Sequence, residues 1–80
     1  MSVGRAINLA PIKSTSLVAI GYDPSTRTLR VNFRNGGLYD YYDVARAVYD
    51  GLLASQPHPW SAWGRHITSS YRYQRVDGGS

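Results

Sequence analysis

Two turn signals divide residues 18–42 into three short segments of alternating hydrophobicity, and this pattern constrains the fold more than any other feature. Within residues 29–33, Leu, Val and Phe alternate with polar residues, which is the period of a strand with one face on a core and the other in water. Residues 23–25 (Asp-Pro-Ser) and 35–37 (Asn-Gly-Gly) are typical of tight turns. The sequence therefore predicts an antiparallel β-meander against which the rest of the chain packs.

The predicted strands span residues 15–22, 27–34 and 38–42. In the first strand we expect Val18, Ile20 and Tyr22 to share the apolar face. In the second and third strands the opposite, outer face is expected to carry Arg30, Arg34 and Tyr42, with Asp40 among them as an ion-pair partner for one arginine.

Two helical segments are predicted after the meander. Asp43 is a suitable N-cap for the first helix, because a carboxylate there can accept backbone N–H groups of the first turn. The apolar stripe of this helix consists of Val44, Val48, Leu52 and Ser55. Trp60, Trp63, Ile67 and Tyr71 recur at helical spacing and predict a second, short helix over residues 61–67, with Gly64 weakening it. Residues 69–76 return to alternation, which indicates a last strand or a segment lying across the sheet.

Together these elements predict an α+β fold. It is a small antiparallel sheet of three to four strands, with one main helix packed on one face and a second short helical segment. Residues 1–80 form one domain, with an ordered core over about residues 14–76. We expect residues 1–14 to be a partly ordered arm, with a short edge strand around Ile7 and Leu9 as the alternative, and residues 77–80 to be a flexible tail.

Charge and composition limit which partners and which cellular location the protein can have. The net charge is +4, the pI is about 9.8, and all basic residues except Lys13 are arginines. A basic balance favours acidic partners such as nucleic acid, although a charge of this size also serves simple solubility. The chain has no cysteine and no apolar segment of the roughly 18 residues that a membrane span needs. We therefore expect a cytoplasmic protein that does not interact with membranes.

Catalytic chemistry is not indicated. There is no Cys or Glu, and neither histidine, His58 or His66, has a nucleophile and an orienting group at a suggestive spacing. Two histidines alone also do not make a metal site. The sequence predicts no catalytic residue, no metal and no cofactor.

Two binding hypotheses remain open. Arginines among aromatic rings suit single-stranded nucleic acid, because guanidinium groups contact phosphates and rings stack on bases. The candidate residues for this interface are Arg30, Arg34, Tyr42, Arg72, Tyr73 and Arg75. The alternative is a protein-interaction module or small regulator with Trp60 and Trp63 at its interface, since Trp and Arg are enriched at interaction hot spots. The same tryptophans could instead close the core. We expect a monomer or a weak homodimer paired through an edge strand.

The spaced motifs of this chain also resemble one family. The matching residues are Ser16, Ala19-Ile20-Gly21-Tyr22-Asp23, Leu29-x-Val31-x-Phe33, Gly37-x-Tyr39-x-Tyr41-x-x-Val44, Val48-Tyr49-x-x-Leu52, Ile67 and Tyr71-x-Tyr73. This set resembles the KTSC domain, a small domain named after a C-terminal extension of some lysyl-tRNA synthetases. The chain departs from the family pattern at Ala45, where a proline is usual, and over residues 55–63. The resemblance implies no enzymatic activity, and it implies RNA or RNA-linked machinery as the partner.

Overall fold

The computed structural model describes residues 7–76, and these form an antiparallel sheet with two helices. The predicted α+β class is confirmed, and the sheet has five strands in the sequential order β1-β2-β3-β4-β5. The elements are β1 (Ala10–Pro11), β2 (Leu17–Asp23), β3 (Thr28–Phe33), β4 (Leu38–Tyr41), α1 (Arg46–Ala54), α2 (Pro59–Ser70) and β5 (Tyr73–Arg75).

The three predicted strands of the meander are present, and each ends within two residues of its predicted bounds. Gly36 in the second turn has φ +109°, which a glycine adopts without steric cost. Cross-strand pairs such as Ile20–Val31 and Val31–Tyr39 place the apolar side chains on one face, which the helices cover. We call this the helix-side face and its opposite the outer face.

The prediction that Val18 lies on the apolar face of β2 is wrong. A register shift between Leu17 and Ala19 marks a β-bulge, and an extra residue changes which side chains point inward. Leu17 is fully buried opposite Phe33, whereas Val18 is 40% exposed. Alternation resumes at Ile20, so only the start of the strand is affected.

The chain before β2 adds an edge strand to the sheet. Ala10 pairs with Ile20, and the next apolar residue, Ile12, is buried in the core. The edge strand thus lies just after the Ile7–Leu9 segment proposed for it. The part of the predicted arm in residues 1–6 and the predicted tail in residues 77–80 lie outside the described residues.

The predicted N-cap of the first helix is wrong. The residue at the N-cap position is Ala45, with no side-chain cap bond, while Asp43 has φ +62° and lies in the preceding turn. The reason is the core contact of Val44, which is fully buried and donates its backbone N–H to the Arg27 carbonyl. Anchoring Val44 to the sheet delays the helix until after Ala45. Val48 and Leu52 of the predicted stripe are buried as expected.

The second helix is longer than predicted and exceeds α1 in length. It begins at Pro59, a residue well suited to the first helical position because that position needs no intrahelical N–H bond. Ile67 is fully buried, and the two tryptophans pack beside it at the edge of the core. Gly64 does not end the helix, because the Trp60 indole lies over it, 2.8 Å from where a Cβ would stand.

Candidate functional site

An aromatic surface extends along the helix-side face at the β5 end of the sheet. Tyr41 and Tyr73 are cross-strand partners with ring centroids 5.6 Å apart, and Tyr39 lies 5.8 Å from the Tyr73 ring. Tyr39 pairs with Arg75 in the same register. The guanidinium carbon of Arg75 lies 5.9 Å from the Tyr39 ring centroid, within cation–π range.

Trp60 forms the opposite wall, at the start of α2. Its indole meets Phe33 edge to face, with centroids 5.1 Å apart and planes at 87°, and it lies 6.3 Å from the Tyr41 ring. Gly64 provides the space for this indole. The Trp60 ring is therefore held in one orientation by the sheet on one side and its own helix on the other.

Between these walls lies a cavity of about 470 Å³, which is within the size range of small-ligand sites. Six of its lining residues define what we call the aromatic cleft: Phe33, Tyr39, Tyr41, Trp60, Tyr73 and Arg75. Tyr73 is 56% exposed, so a large face of its ring is open to a ligand. No His, Asp, Glu or Lys is among the described residues that line the cavity. Such a lining suits stacking on a planar group and contact with an anion.

Tyr41 at the base of the cleft is held in its neutral form. Burial raises the pKa of its phenol to about 12, and the nearby Tyr39 and Tyr73 rings add to the shift. Burial disfavours the phenolate because the charged form loses its hydration. The shift matters only in alkaline solution, since a phenol with the ordinary pKa of about 10 is also uncharged at pH 7. Arg75 contributes a positive charge to this lining.

The residues predicted for nucleic-acid binding do not form one surface. Tyr73 and Arg75 line the aromatic cleft, whereas Arg30 is on the outer face. Tyr42 and Arg72 line a separate cavity of about 400 Å³ that shares no lining residue with the cleft. Arg72 precedes β5, and its side chain lines this second cavity, whereas Arg75 lines the cleft.

Arg30 is committed to an ion pair within the sheet. Its Nε and a terminal nitrogen donate to the two carboxylate oxygens of Asp40 at 2.7 and 2.9 Å. Asp40 is buried, and the hydrogen bond to it raises the pKa of Arg30, an effect larger than the opposing effect of burial. The predicted pairing of Asp40 with an arginine is thus confirmed. It leaves Arg30 poorly placed to contact a phosphate.

Arg34 lies on the other side of Trp60 from the cleft. Its Nε donates to the Ser14 carbonyl at 3.0 Å, and its side chain lines a cavity together with Trp60 and Phe33. The expected grouping of Arg34 with Arg30 and Tyr42 on the outer face is therefore not observed. The strand ends at Phe33, and alternation no longer applies beyond it.

The two tryptophans have different surroundings. Trp63 does not line the cleft, because its ring lies over Gly51 of α1 at a distance that leaves no room for a Cβ, and its edge meets His66. It packs the two helices together. Trp60 packs on the core and also lines the cleft.

Sequence reasoning did not place Phe33, Tyr39 or Tyr41 in a site. These rings do pack on the core, but they also line the cleft, together with Trp60 of α2. One sequence signal was available. Tyr71 and Tyr73 alternate as Tyr39 and Tyr41 do, and when β5 pairs with β4 the Tyr73 side chain lies beside Tyr41.

Within residues 7–76, no cluster of three or more His, Cys, Asp or Glu side chains is arranged to hold a metal ion. In the same part of the chain no helix has the length and apolarity to cross a membrane.

The fold and the cleft define a small α+β domain with an aromatic cavity at one sheet edge. The family model of the KTSC domain matches residues 13–71, and the chain belongs to this family. A KTSC domain protein from Yersinia pestis has a similar crystal structure, with a TM-score of 0.81 and 24% identity, covering 89% of this chain and 99% of that one. This similarity supports the fold.

Two bacterial sequences are also similar. An uncharacterized protein from Stutzerimonas stutzeri (strain A1501) is 37% identical over 82% of this chain and 93% of its own length. A protein from Tsukamurella paurometabola is 40% identical over 60% of this chain and 72% of its own length.

Proposed function

We propose that this protein is a non-enzymatic, cytoplasmic module that binds single-stranded nucleic acid, RNA in particular, in the aromatic cleft. The observation that carries the proposal is the exposed Tyr73 ring beside Arg75 and opposite Trp60. A base stacked on Tyr73 would place its phosphate within reach of the Arg75 guanidinium. Aromatic stacking and an adjacent cation are the two contacts that single-strand binders combine.

Three further features support this ligand. The net charge of +4 favours a polyanion. Among the described residues, the cleft lining offers aromatic faces and the Arg75 cation but no His, Asp, Glu or Lys, which suits binding better than catalysis. The resemblance to a domain named after lysyl-tRNA synthetases is in line with RNA as the ligand.

The test is fluorescence anisotropy of a labelled ten-nucleotide uridine RNA at salt concentrations from 50 to 200 mM. Tyr73→Ala is expected to weaken binding by about 5- to 150-fold, the equivalent of the roughly 1–3 kcal/mol that stacking of one base contributes. Arg75→Gln is expected to lower the slope of log K against log salt by about 0.7, the value for one phosphate contact on a single strand.

Arg72→Gln is the matched control, because it removes the same charge three residues away on a different surface. It should leave the salt slope almost unchanged. Equal effects of the two arginine variants, or binding that does not depend on salt, would contradict the proposal. If no RNA or DNA binds, a peptide with an aromatic or proline side chain becomes the better candidate for the cleft, and Trp60 its expected contact.

A further inference from the structure

A second, polar compartment adjoins the aromatic cleft on the far side of Trp60. It has a volume of about 380 Å³ and is lined by Thr15, Ser16, Phe33, Arg34, Asn35 and Trp60. Phe33, Asn35 and Trp60 also line the cavity of the cleft, so the two cavities are neighbours that share a wall. A chain-like ligand bound in the cleft would have this compartment next to it.

The chemistry of the polar compartment differs from that of the cleft. It presents the two hydroxyls of Thr15 and Ser16 and the guanidinium of Arg34. Both hydroxyl residues are exposed, and neither side chain makes a hydrogen bond within residues 7–76. Hydroxyls and a cation match a sugar and a phosphate rather than the face of a base.

The loop that presents these groups is fixed before any ligand arrives. The Ser14 hydroxyl accepts hydrogen bonds from the backbone N–H groups of Ser16 and Leu17, both at 3.0 Å. Arg34 holds the same loop from the other side, with its Nε on the Ser14 carbonyl and its backbone N–H on the Ser16 carbonyl at 2.9 Å. Preorganised groups lose less conformational freedom on binding.

We infer that the polar compartment recognises the ribose 2′-hydroxyl of the nucleotide next to the one in the cleft, and so selects RNA over DNA. Thr15 and Ser16 contact the 2′-hydroxyl, and Arg34 contacts the adjoining phosphate. The 2′-hydroxyl is both a donor and an acceptor, and it is the group by which a protein distinguishes the two nucleic acids at one position. The inference rests on the proposed function and identifies the ligand class and the residues that select it.

The experiment compares binding of an eight-nucleotide uridine RNA with binding of the eight-nucleotide deoxyuridine strand, which differs only in the 2′-hydroxyls. The wild-type protein should bind the RNA about 2- to 12-fold more tightly, the ratio that corresponds to one hydrogen bond of roughly 0.5–1.5 kcal/mol. Thr15→Val with Ser16→Ala should bring this ratio close to one while leaving deoxyuridine binding almost unchanged. Both side chains are exposed, so the variant should fold normally.

Arg34→Gln serves as the comparison variant. It should lower both salt slopes by about 0.7, because it removes a phosphate contact from both strands. Equal wild-type binding of the two strands, or an RNA preference that persists in the double variant, overturns the inference and leaves the proposed function standing. Absence of binding to either strand overturns the proposed function and the inference with it.

Discussion

The Arg30–Asp40 ion pair provides a quantitative test of how the central strands are held together. Asp40→Ala removes the carboxylate and leaves the Arg30 guanidinium, whose side chain is 21% exposed, between β3 and β4 without its bidentate partner. Removing one partner of a fully buried pair costs about 3–5 kcal/mol, and an exposed pair contributes less than about 1 kcal/mol. Because Arg30 keeps a fifth of its exposure, we expect a loss of about 2–3 kcal/mol in the free energy of unfolding.

The assay is urea denaturation of Asp40→Ala and of a double-mutant cycle made of Arg30→Met, Asp40→Leu and the two combined. With a slope of about 1 kcal/mol per molar urea for a domain of this size, Asp40→Ala should lower the midpoint by about 2–3 M. The double variant Arg30→Met with Asp40→Leu should lose less than about 1 kcal/mol, because an apolar pair leaves no charge unpaired. If Asp40→Ala lowers the free energy of unfolding by less than about 0.5 kcal/mol and the coupling energy is of similar size, the ion pair is solvated and does not hold the strands together.

Three further predictions concern stability. The pKa of Tyr41 is about 12 in the folded protein and about 10 in the unfolded chain, so the unfolded state ionises first as the pH rises. The free energy of unfolding should therefore fall by up to about 3 kcal/mol between pH 10 and pH 12, with no effect below pH 10. In urea titrations at pH 8 and pH 11.5, Tyr41→Phe should lose less stability than the wild type, and an equal loss in both proteins would contradict the shift. Gly51→Ala should destabilise by about 1–2 kcal/mol despite the better helix propensity of alanine, because the new Cβ meets the Trp63 ring; an unchanged or raised melting temperature would show that the ring moves freely. At the bulge, Leu17→Ala should cost about 2–5 kcal/mol and Val18→Thr less than about 0.5 kcal/mol by urea denaturation, and the reverse order would place the bulge elsewhere.

Most of the fold could be predicted because local patterns dominate in it. Alternation in residues 29–33 and the Asn35-Gly36 turn located the meander, and the spacing of Val48 and Leu52 located the first helix. Departures occurred where a tertiary contact outweighed a local preference. Asp43 is a good capping residue by type, but burial of Val44 against the sheet moved the start of the helix past it.

The bulge in β2 could not be read from the sequence. Leu17, Val18 and Ile20 are all apolar, so their order does not reveal which of the first two points inward. The choice is made by the partner strand, where Leu17 lies opposite Phe33. Register between strands is a long-range property, and a bulge changes it without changing composition.

The types of residue in the candidate site were predicted, but their layout was not. The residues predicted to bind nucleic acid are divided among the aromatic cleft, the polar compartment, the cavity of Tyr42 and Arg72, and the outer face. The pairing of β5 with β4 and the position of Trp60 beside Phe33 decide which of them share a surface. Both depend on contacts between segments distant in sequence. The alternation of side chains within one strand gives no information about such contacts.

The most direct test of the central claim is an amide-shift titration of the isotope-labelled protein with mixed-sequence single-stranded RNA, at low and then at physiological salt. We expect shifts at Phe33, Tyr39, Tyr73 and Arg75 and in the Trp60 indole N–H, which weaken as salt rises, with little change at Arg30 and Tyr42. Shifts confined to Arg30, Tyr42 and Arg72, or a spectrum that does not change, would contradict the assignment of the aromatic cleft as a nucleic-acid site.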